Sequence, residues 1–467
     1  VFYTGAQPLT ADADQPWYDA VEQRFGVKLK IEVPPQSNSA ERLQLVMASG
    51  TYPDVIRFMN SRDKSYMDGV RNGIIIPVTK YLEHAPNIQK YTYEKSWAAL
   101  RPVEDGEIYG IPVTSAVRND GYAVREDWLD AVGLTLPDDG IVTLDAFTEI
   151  LRRFTENDPD GNGSRDTYGL GKYGIGDGTI GLLVPGPYES FGWQKYDDEA
   201  YPYMDRIYSK TSDAYRRALR YSADIFKAGL VDPNSPLLKR AQAEERFAQG
   251  VTGVLSFFAG HLPGFANNLK KSNPAAELAY ITGIRGEDGN VTMNVQNSTL
   301  YGMWSVTKTA ANPQKIVDLF DYLLSDEGWE LNLYGVEGVH YTVNDGVKTA
   351  SDLFAKLKHN GMMRRKENVD LWANELTMTP EWLGTARLWL DRAVEHVTVL
   401  EDRDFLPPIS ADGRYQDGKT NLDTVVTKIV LGESPVSDYE AALEKWYANG
   451  GETYVQQMND YIAQAQQ

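Results

Sequence analysis

The chain has 467 residues, 42% of them hydrophobic, with 66 acidic against 46 basic side chains and a net charge of −20. That length exceeds one ordinary hydrophobic core and predicts two or more domains. The acidic excess repels phosphate backbones and anionic lipid heads, which sets both aside as partners. The absence of cysteine excludes disulfides, thiol catalysis and cysteine-based metal centres.

The chain begins at Val1, inside an expected strand and without Met. This predicts a removed N-terminal segment, and with it any signal peptide or lipid-attachment cysteine. Val1–Tyr3 opens the first strand. Pro16 is expected to open a helix with Trp17, Val21 and Phe25 on one face. From 27 to 33, Val27, Leu29, Ile31 and Val33 alternate with Lys28, Lys30 and Glu32, the period of a strand. Ser39 is placed as the cap of a helix that ends at Gly50, and 54–58 is the third strand. Strands and helices alternating at this spacing predict a parallel α/β sheet. No apolar run reaches transmembrane length; the best, around 251–259, is too short.

Leu144, Phe147 and Leu151 mark a helix that leads straight into DPDGNGSRDTYG, residues 158–169. This stretch reads as a calcium loop of EF-hand type. Asp158, Asp160 and Asn162 stand at loop positions 1, 3 and 5, Gly163 at the sharp turn of position 6, Ser164 at the backbone-carbonyl position 7, and Asp166 at 9. Position 12, usually a bidentate Glu, is Gly169, so water or a carboxylate from elsewhere must complete the shell. A solvated Asp/Asn/Gly turn has the same composition. Three oxygen side chains in register with the glycine favour a bound divalent cation, calcium before others.

Further on, Tyr215, Leu219 and Phe226 mark a helix closed by Gly229. Asn312-Pro313 opens another carrying Ile316, Leu319, Phe320 and Leu323. The C-terminal part is expected to be helical from about Asp423, with Leu443, Trp446 and Tyr447 on one stretch. Trp17, Trp128, Trp329 and Trp446 fall on apolar helical faces and are read as core packing. GLGKYG at 169–174 satisfies a dinucleotide pattern but is followed by glycines that cannot open a helix, so it is rejected as a cofactor site. There is no P-loop, no G-x-S-x-G and no H-E-x-x-H, and the five histidines are scattered. Nothing argues positively for catalysis.

Several segments in fixed order resemble one family. They include ASGTYPDVIRF (48–58), IIIPVTKYL (74–82), DGEIYGIPV (105–113), VREDWLDAVGL (124–134) and TLDAFTEILRRF (143–154). The series continues through the calcium loop to YSADIFKAGLVDP (221–233), residues 312–343 and LDTVVTKIVLGES (422–434). The family is the extracellular solute-binding proteins of bacterial ABC sugar importers, and within it the lipoprotein-type branch that includes alginate- and pectin-oligosaccharide binders. The family's loop often carries an acidic residue just after the position of Asp166; here it is Thr167.

The resemblance implies an α/β, two-lobed fold of the periplasmic-binding-protein kind with several hinge crossings. Lobe 1 is expected at 1–112 and 301–345, and lobe 2, with the calcium loop, at 113–300 and 346–467. It implies a non-enzymatic, monomeric protein outside the cytoplasm, as a surface lipoprotein or in the periplasm. Such a protein closes on a carbohydrate, an oligosaccharide above all, and delivers it to importer transmembrane subunits, with calcium as a structural cofactor. The composition suits this, because 10 Trp, 28 Tyr and 14 Phe supply flat faces on which sugar rings pack.

Expected ligand contacts lie at strand ends and the loops beyond them. Gln7 follows the first strand, Phe58 and Asn60 the third. Thr114 and Arg118 follow EIYGIPV, and Asp177 lies after the calcium loop. Phe257, Phe258 and His261 follow the expected strand 253–255, although alternation should turn one of the two phenylalanines into the core. Trp372, Arg414 and Tyr415 complete the set. The rival readings are a carbohydrate-active hydrolase or lyase and a calcium-stabilised surface lectin.

Overall fold

The computed structural model describes the chain except residues 4–9, 36–38, 62, 104, 115–119, 175–180, 191, 259–261, 292–293, 297–299, 359–360, 367–369, 371–373, 377, 403–404 and 465–467. Two compact α/β units emerge: 1–117 with 298–383, and 118–297 with 384–467.

In the first unit the helix Ala11–Phe25 starts well before Pro16, which lies inside it. The earlier start has a cause in Asp14, whose carboxylate accepts from the Thr10 N–H at 2.8 Å and the Lys358 N–H at 2.9 Å. Trp17 and Val21 are buried, and the helix ends at Gly26 with φ 59°. Residues 27–33 do not form the expected strand. Only Glu32 bridges Phe2, and the Leu29 N–H is drawn instead to the Glu22 carboxylate at 2.6 Å. The alternation survives as exposure, with Val27, Leu29 and Ile31 half-buried and Lys28, Lys30 and Glu32 exposed.

The main sheet of this unit has the strand order Phe2–Tyr3, Val55–Phe58, Leu300–Val306, Ile111–Thr114. Phe2–Tyr3 pairs with Val55–Phe58 in parallel, but Leu300–Val306 runs antiparallel to both its neighbours. The sheet is therefore mixed where an all-parallel one was expected, because its third strand enters after the chain has passed through the second unit. The helix Pro313–Tyr322 starts as expected, with Asn312 accepting from the Lys315 N–H. It buries Val317 and Phe320 in a core with Trp17, Ile56, Trp304 and Leu333.

Residues 346–383 were expected in the second lobe, and the structure places them in the first. Local bonding explains this. Tyr341–Asn344 and Val347–Ala350 pair as a hairpin, and the Ser351 N–H donates to the His340 carbonyl at 2.8 Å. The Asn332 side chain donates to the Met363 carbonyl at 2.9 Å and accepts from the Met363 N–H at 3.2 Å. Residues 113–117 and 298–300 also belong with the first unit.

In the second unit the strand order is Leu278–Ile281, Asp120–Arg125, Thr252–Phe258, Tyr168–Gly171, with only the last pair parallel. The helix Leu144–Glu156 is capped by Thr143 and buries Phe147, Leu151 and Phe154. Ala214–Lys227 buries Tyr215 and Leu219. The C-terminal helix begins at Gly413, ten residues before the expected Asp423, because Asp412 accepts from the Arg414 and Tyr415 N–H groups. All four tryptophans read as packing, Trp17, Trp128, Trp329 and Trp446, are buried.

An aromatic cluster dominates this core. Tyr208 stacks on Trp446 at 4.1 Å, and Tyr415 on Tyr454 at 5.1 Å. Among these rings, Asp205 accepts from the Ile207 N–H at 3.2 Å. Burial pushes its carboxyl up to about 6, against the pull of the Ile207 N–H and of Lys419. A raised carboxyl binds its proton more tightly in the folded state. Stability is therefore full below the ordinary carboxylate range and falls as pH rises through about 6. Asp205→Asn keeps the acceptor and removes the charge. It should raise the stability at pH 7.5 by on the order of 1–2 kcal/mol after discounting residual solvent contact, seen as a higher melting temperature, and change nothing at pH 4. Equal effects at both pH values would refute the assignment.

Candidate functional site

In the first unit the carboxyl ends of Phe2–Tyr3, Val55–Phe58 and Ile111–Thr114 lie at one end of the sheet. Leu300–Val306 starts at that end, since Met303 pairs with Phe58 and Leu300 with Thr114. Strand carboxyl ends are where open α/β sheets hold ligands. The residues expected there fall in different places. Asn60 is exposed just beyond its strand. Phe58 is fully buried, its ring 5.3 Å from Tyr66, and Thr114 is buried with its hydroxyl donating to the Tyr91 carbonyl at 3.1 Å. Both are core residues here, a correction to their reading as ligand contacts. Strand alternation and the tight sheet turn their side chains inward.

Three residues missed by sequence reading occupy this end instead. Tyr301 is 42% exposed. The Arg364 guanidinium lies 3.6 Å from the centroid of its ring, and that of Arg57 lies 5.8 Å from it. Arg57 is itself only 3% exposed and also faces Trp304 at 5.3 Å. Its guanidinium donates to the carbonyls of Phe58 and Tyr301, which closes a β-bulge between Leu300 and Met303. Gly302 makes this approach possible. It has φ 90°, and a Cβ there would stand 2.2 Å from the Phe58 carbonyl. Burial first, then the charge of Arg364, lowers the Arg57 pKa, and burial lowers that of Arg364. One signal was available: VIRF puts an arginine inside an otherwise apolar four-residue strand.

In the second unit Arg414 is exposed and weakly paired with Asp412 at 3.7 Å. Tyr415 is buried in the aromatic cluster and is likewise corrected from contact to core. Both residues lie in the first turn of the helix rather than before it. The backbone of Phe257 and Phe258 pairs with Gly121 and Asp120. Their side chains, and Gln7, Arg118, Asp177, His261 and Trp372, lie outside the described residues.

The loop at 158–166 gathers its expected side chains. Asp158, at φ 47°, accepts from the Asn162 N–H at 3.1 Å and the Gly163 N–H at 2.9 Å. The Asn162 amide donates to Asp160 at 2.9 Å and to Asp166 at 3.2 Å, while its oxygen accepts from the Ser164 N–H. Among the described residues no three His, Asp or Glu side chains form a metal-holding group. In this loop the amide nitrogen of Asn162 lies between the carboxylates of Asp160 and Asp166. The donor set still fits a hard cation. Burial first, then Asp158 and the charge of Asp166, push the Asp160 carboxyl up, so the loop carries crowded negative charge.

A family profile for bacterial extracellular solute-binding proteins matches residues 7–328. The polygalacturonan/rhamnogalacturonan-binding protein YtcQ of Bacillus subtilis (strain 168) is 25% identical over 455 residues, covering 95% of this chain and 87% of YtcQ. The structure of alginate-binding protein AlgQ2 without calcium ion matches with a TM-score of 0.65 at 19% identity, over 99% of this chain and 96% of that one. An EF-hand mutant of the substrate-binding protein FusA of Streptococcus pneumoniae, in complex with fructo-nystose, matches with a TM-score of 0.66 at 18% identity, over 100% and 99%. Among the described residues no helix is long and apolar enough to cross a membrane. With the profile spanning well over half its length and the fold shared throughout, the chain belongs to the bacterial extracellular solute-binding proteins.

Proposed function

We propose that this protein binds an oligosaccharide outside the cytoplasm, without turning it over, and delivers it as a monomer to the transmembrane subunits of an ABC importer. The observation that carries this is the whole-length match to YtcQ, a polysaccharide-binding relative. The exposed Tyr301 at a strand-end position supports it, since an aromatic face there suits a sugar ring. The same reading gives the 158–166 loop a structural calcium held by Asp158, Asp160, Asn162, the Ser164 carbonyl and Asp166. The similar structures of AlgQ2 without calcium ion and of a FusA EF-hand mutant lend support. When bound, the ion supplies positive charge that pins the loop; it performs no chemistry on the sugar.

A thermal-shift screen over neutral and acidic oligosaccharides tests the reading. A ligand at about a hundred times its Kd should stabilise the fold by about 2.7 kcal/mol. At least one saccharide should raise the melting temperature with no product released. Product formation, or no shift with any saccharide, overturns the proposal.

A further inference from the structure

Asn162 and Gly163 stand side by side in the exposed loop of the second unit. An asparagine before a glycine is chemically fragile, because no Cβ shields the glycine nitrogen from the neighbouring side-chain amide. Four such pairs occur in the chain, at 72–73, 162–163, 360–361 and 449–450. Asn360 lies outside the described residues, and the other three are held very differently.

Asn72 closes the helix Lys64–Arg71. The Gly73 N–H donates to the Val70 carbonyl at 3.0 Å and the Ile74 N–H to the Gly69 carbonyl at 2.8 Å, which pins the 72–73 peptide to its helix in a Schellman cap. Asn449 is half-buried, and its side-chain amide donates to the Lys445 carbonyl at 2.7 Å, which ties it to the preceding turn. The 162–163 peptide belongs to no helix. The Gly163 N–H donates to the Asp158 carboxylate at 2.9 Å. The Asn162 side-chain oxygen accepts from the Ser164 N–H at 2.7 Å, which draws electrons from Cγ and steadies an oxyanion formed there. Nothing stands within 4 Å of a Cβ built on Gly163, and Asn162, Gly163 and Ser164 are all exposed to water.

We propose that Asn162 is a self-modification site. The Gly163 nitrogen gives its proton to a solvent base and attacks Cγ of Asn162. A new C–N bond closes a cyclic imide, the Cγ–Nδ2 bond breaks, and the side-chain nitrogen leaves as ammonia with a proton taken from water. Water then opens the imide at one of its carbonyls. The sum is water consumed and ammonia released, with nothing oxidised or reduced. Opening at the side-chain carbonyl leaves aspartate, one more carboxylate in the loop. Opening at the main-chain carbonyl leaves isoaspartate, which adds a methylene to the backbone and throws Gly163 out of the turn. On the calcium reading above, an ion that holds the Asn162 oxygen keeps Cγ from swinging over the Gly163 nitrogen. Only the ion-free loop then reacts, and the chain records the time it has spent without calcium.

The test is peptide mapping by mass spectrometry on the full chain, held at mildly alkaline pH in chelator or in calcium. The mass gained when OH replaces the amide nitrogen marks conversion, and enzymatic methylation of isoaspartate counts the rerouted product. In chelator Asn162 should convert on the order of tenfold faster than Asn72 or Asn449, whose cap or turn must open first. Calcium at about a hundred times its Kd leaves about one loop in a hundred free and should slow Asn162 on the order of a hundredfold, with the other two unmoved. Gly163→Ala should slow conversion in chelator on the order of tenfold, since it shields the nitrogen where a Cβ meets no neighbour. An intact Asn162 in chelator, or one that converts no faster than Asn72, overturns the proposal. So does equal conversion with and without calcium in a protein whose melting responds to calcium. Equal conversion with no melting response sinks the calcium reading and leaves the modification site standing.

Discussion

His340→Ala is expected to destabilise the first unit by about 3–5 kcal/mol. The imidazole is fully buried and bridges two distant backbone groups. Nδ1 accepts from the Val336 N–H at 2.8 Å, so Nε2 carries the proton and donates to the Ala13 carbonyl at 2.6 Å. The ring thereby ties the helix Ala11–Phe25 to the turn before Tyr341–Asn344. Truncation leaves a donor and an acceptor unpaired inside the core, each costing about 1–3 kcal/mol, and a cavity besides. The neighbourhood cannot collapse cheaply. Gly335 presses on the ring so closely that a Cβ there would stand 2.5 Å from Nδ1, at φ 82°. Urea unfolding followed by intrinsic fluorescence measures the loss. If the two units melt separately, only the transition of the first should move. A loss below about 1 kcal/mol would mean that water replaces the ring without penalty.

Chelation of calcium is expected to lower the melting temperature of the second unit. With free calcium at about a hundred times its Kd, the stabilisation lost is about 2.7 kcal/mol. Binding requires Asn162 to turn its amide oxygen toward the ion, releasing the bonds its nitrogen makes to Asp160 and Asp166. The relief of repulsion between those carboxylates drives the exchange. Asp158→Ala should abolish the calcium response, and Asn162→Asp should strengthen it by adding a carboxylate at a ligand position. Identical melting curves in chelator and in millimolar calcium would remove the ion from this protein's account.

What was legible in the chain follows from how local each signal is. The 158–166 loop gathers Asp158, Asp160, Asn162 and Asp166 as a turn because they are neighbours in sequence. The helices Leu144–Glu156 and Pro313–Tyr322 carry caps and a clear apolar face. Readings failed where a partner distant in sequence decides. Asp14, bonded to Lys358, draws the first helix past Pro16, and Glu22 takes the N–H that would have begun a strand at 27–33. The direction of Leu300–Val306 depends on the route of the chain, which periodicity does not record. Phe58 and Tyr415 look like ligand platforms only while their neighbours are unknown; Tyr66 and Tyr454 make them core. Arg57 was visible as an oddity in VIRF, but its meaning needed Arg364, which lies far along the chain.

The strand order of the first unit also governs how the protein can be made. Leu300–Val306 lies between Val55–Phe58 and Ile111–Thr114, and the ribosome produces residues 118–297 of the other unit before it. Until that strand emerges, the two early strands each have an unpaired edge in what becomes the centre of the sheet. The usual order, in which an N-terminal domain folds during synthesis, is closed to this chain. The sheet of the first unit can therefore be completed only after residues 300–306 have been made. This lengthens the time for which chaperones must cover the edges of VIRF and IPVT. Truncation anywhere before residue 306 should yield no folded first unit, and it also removes residues 384–467 of the second.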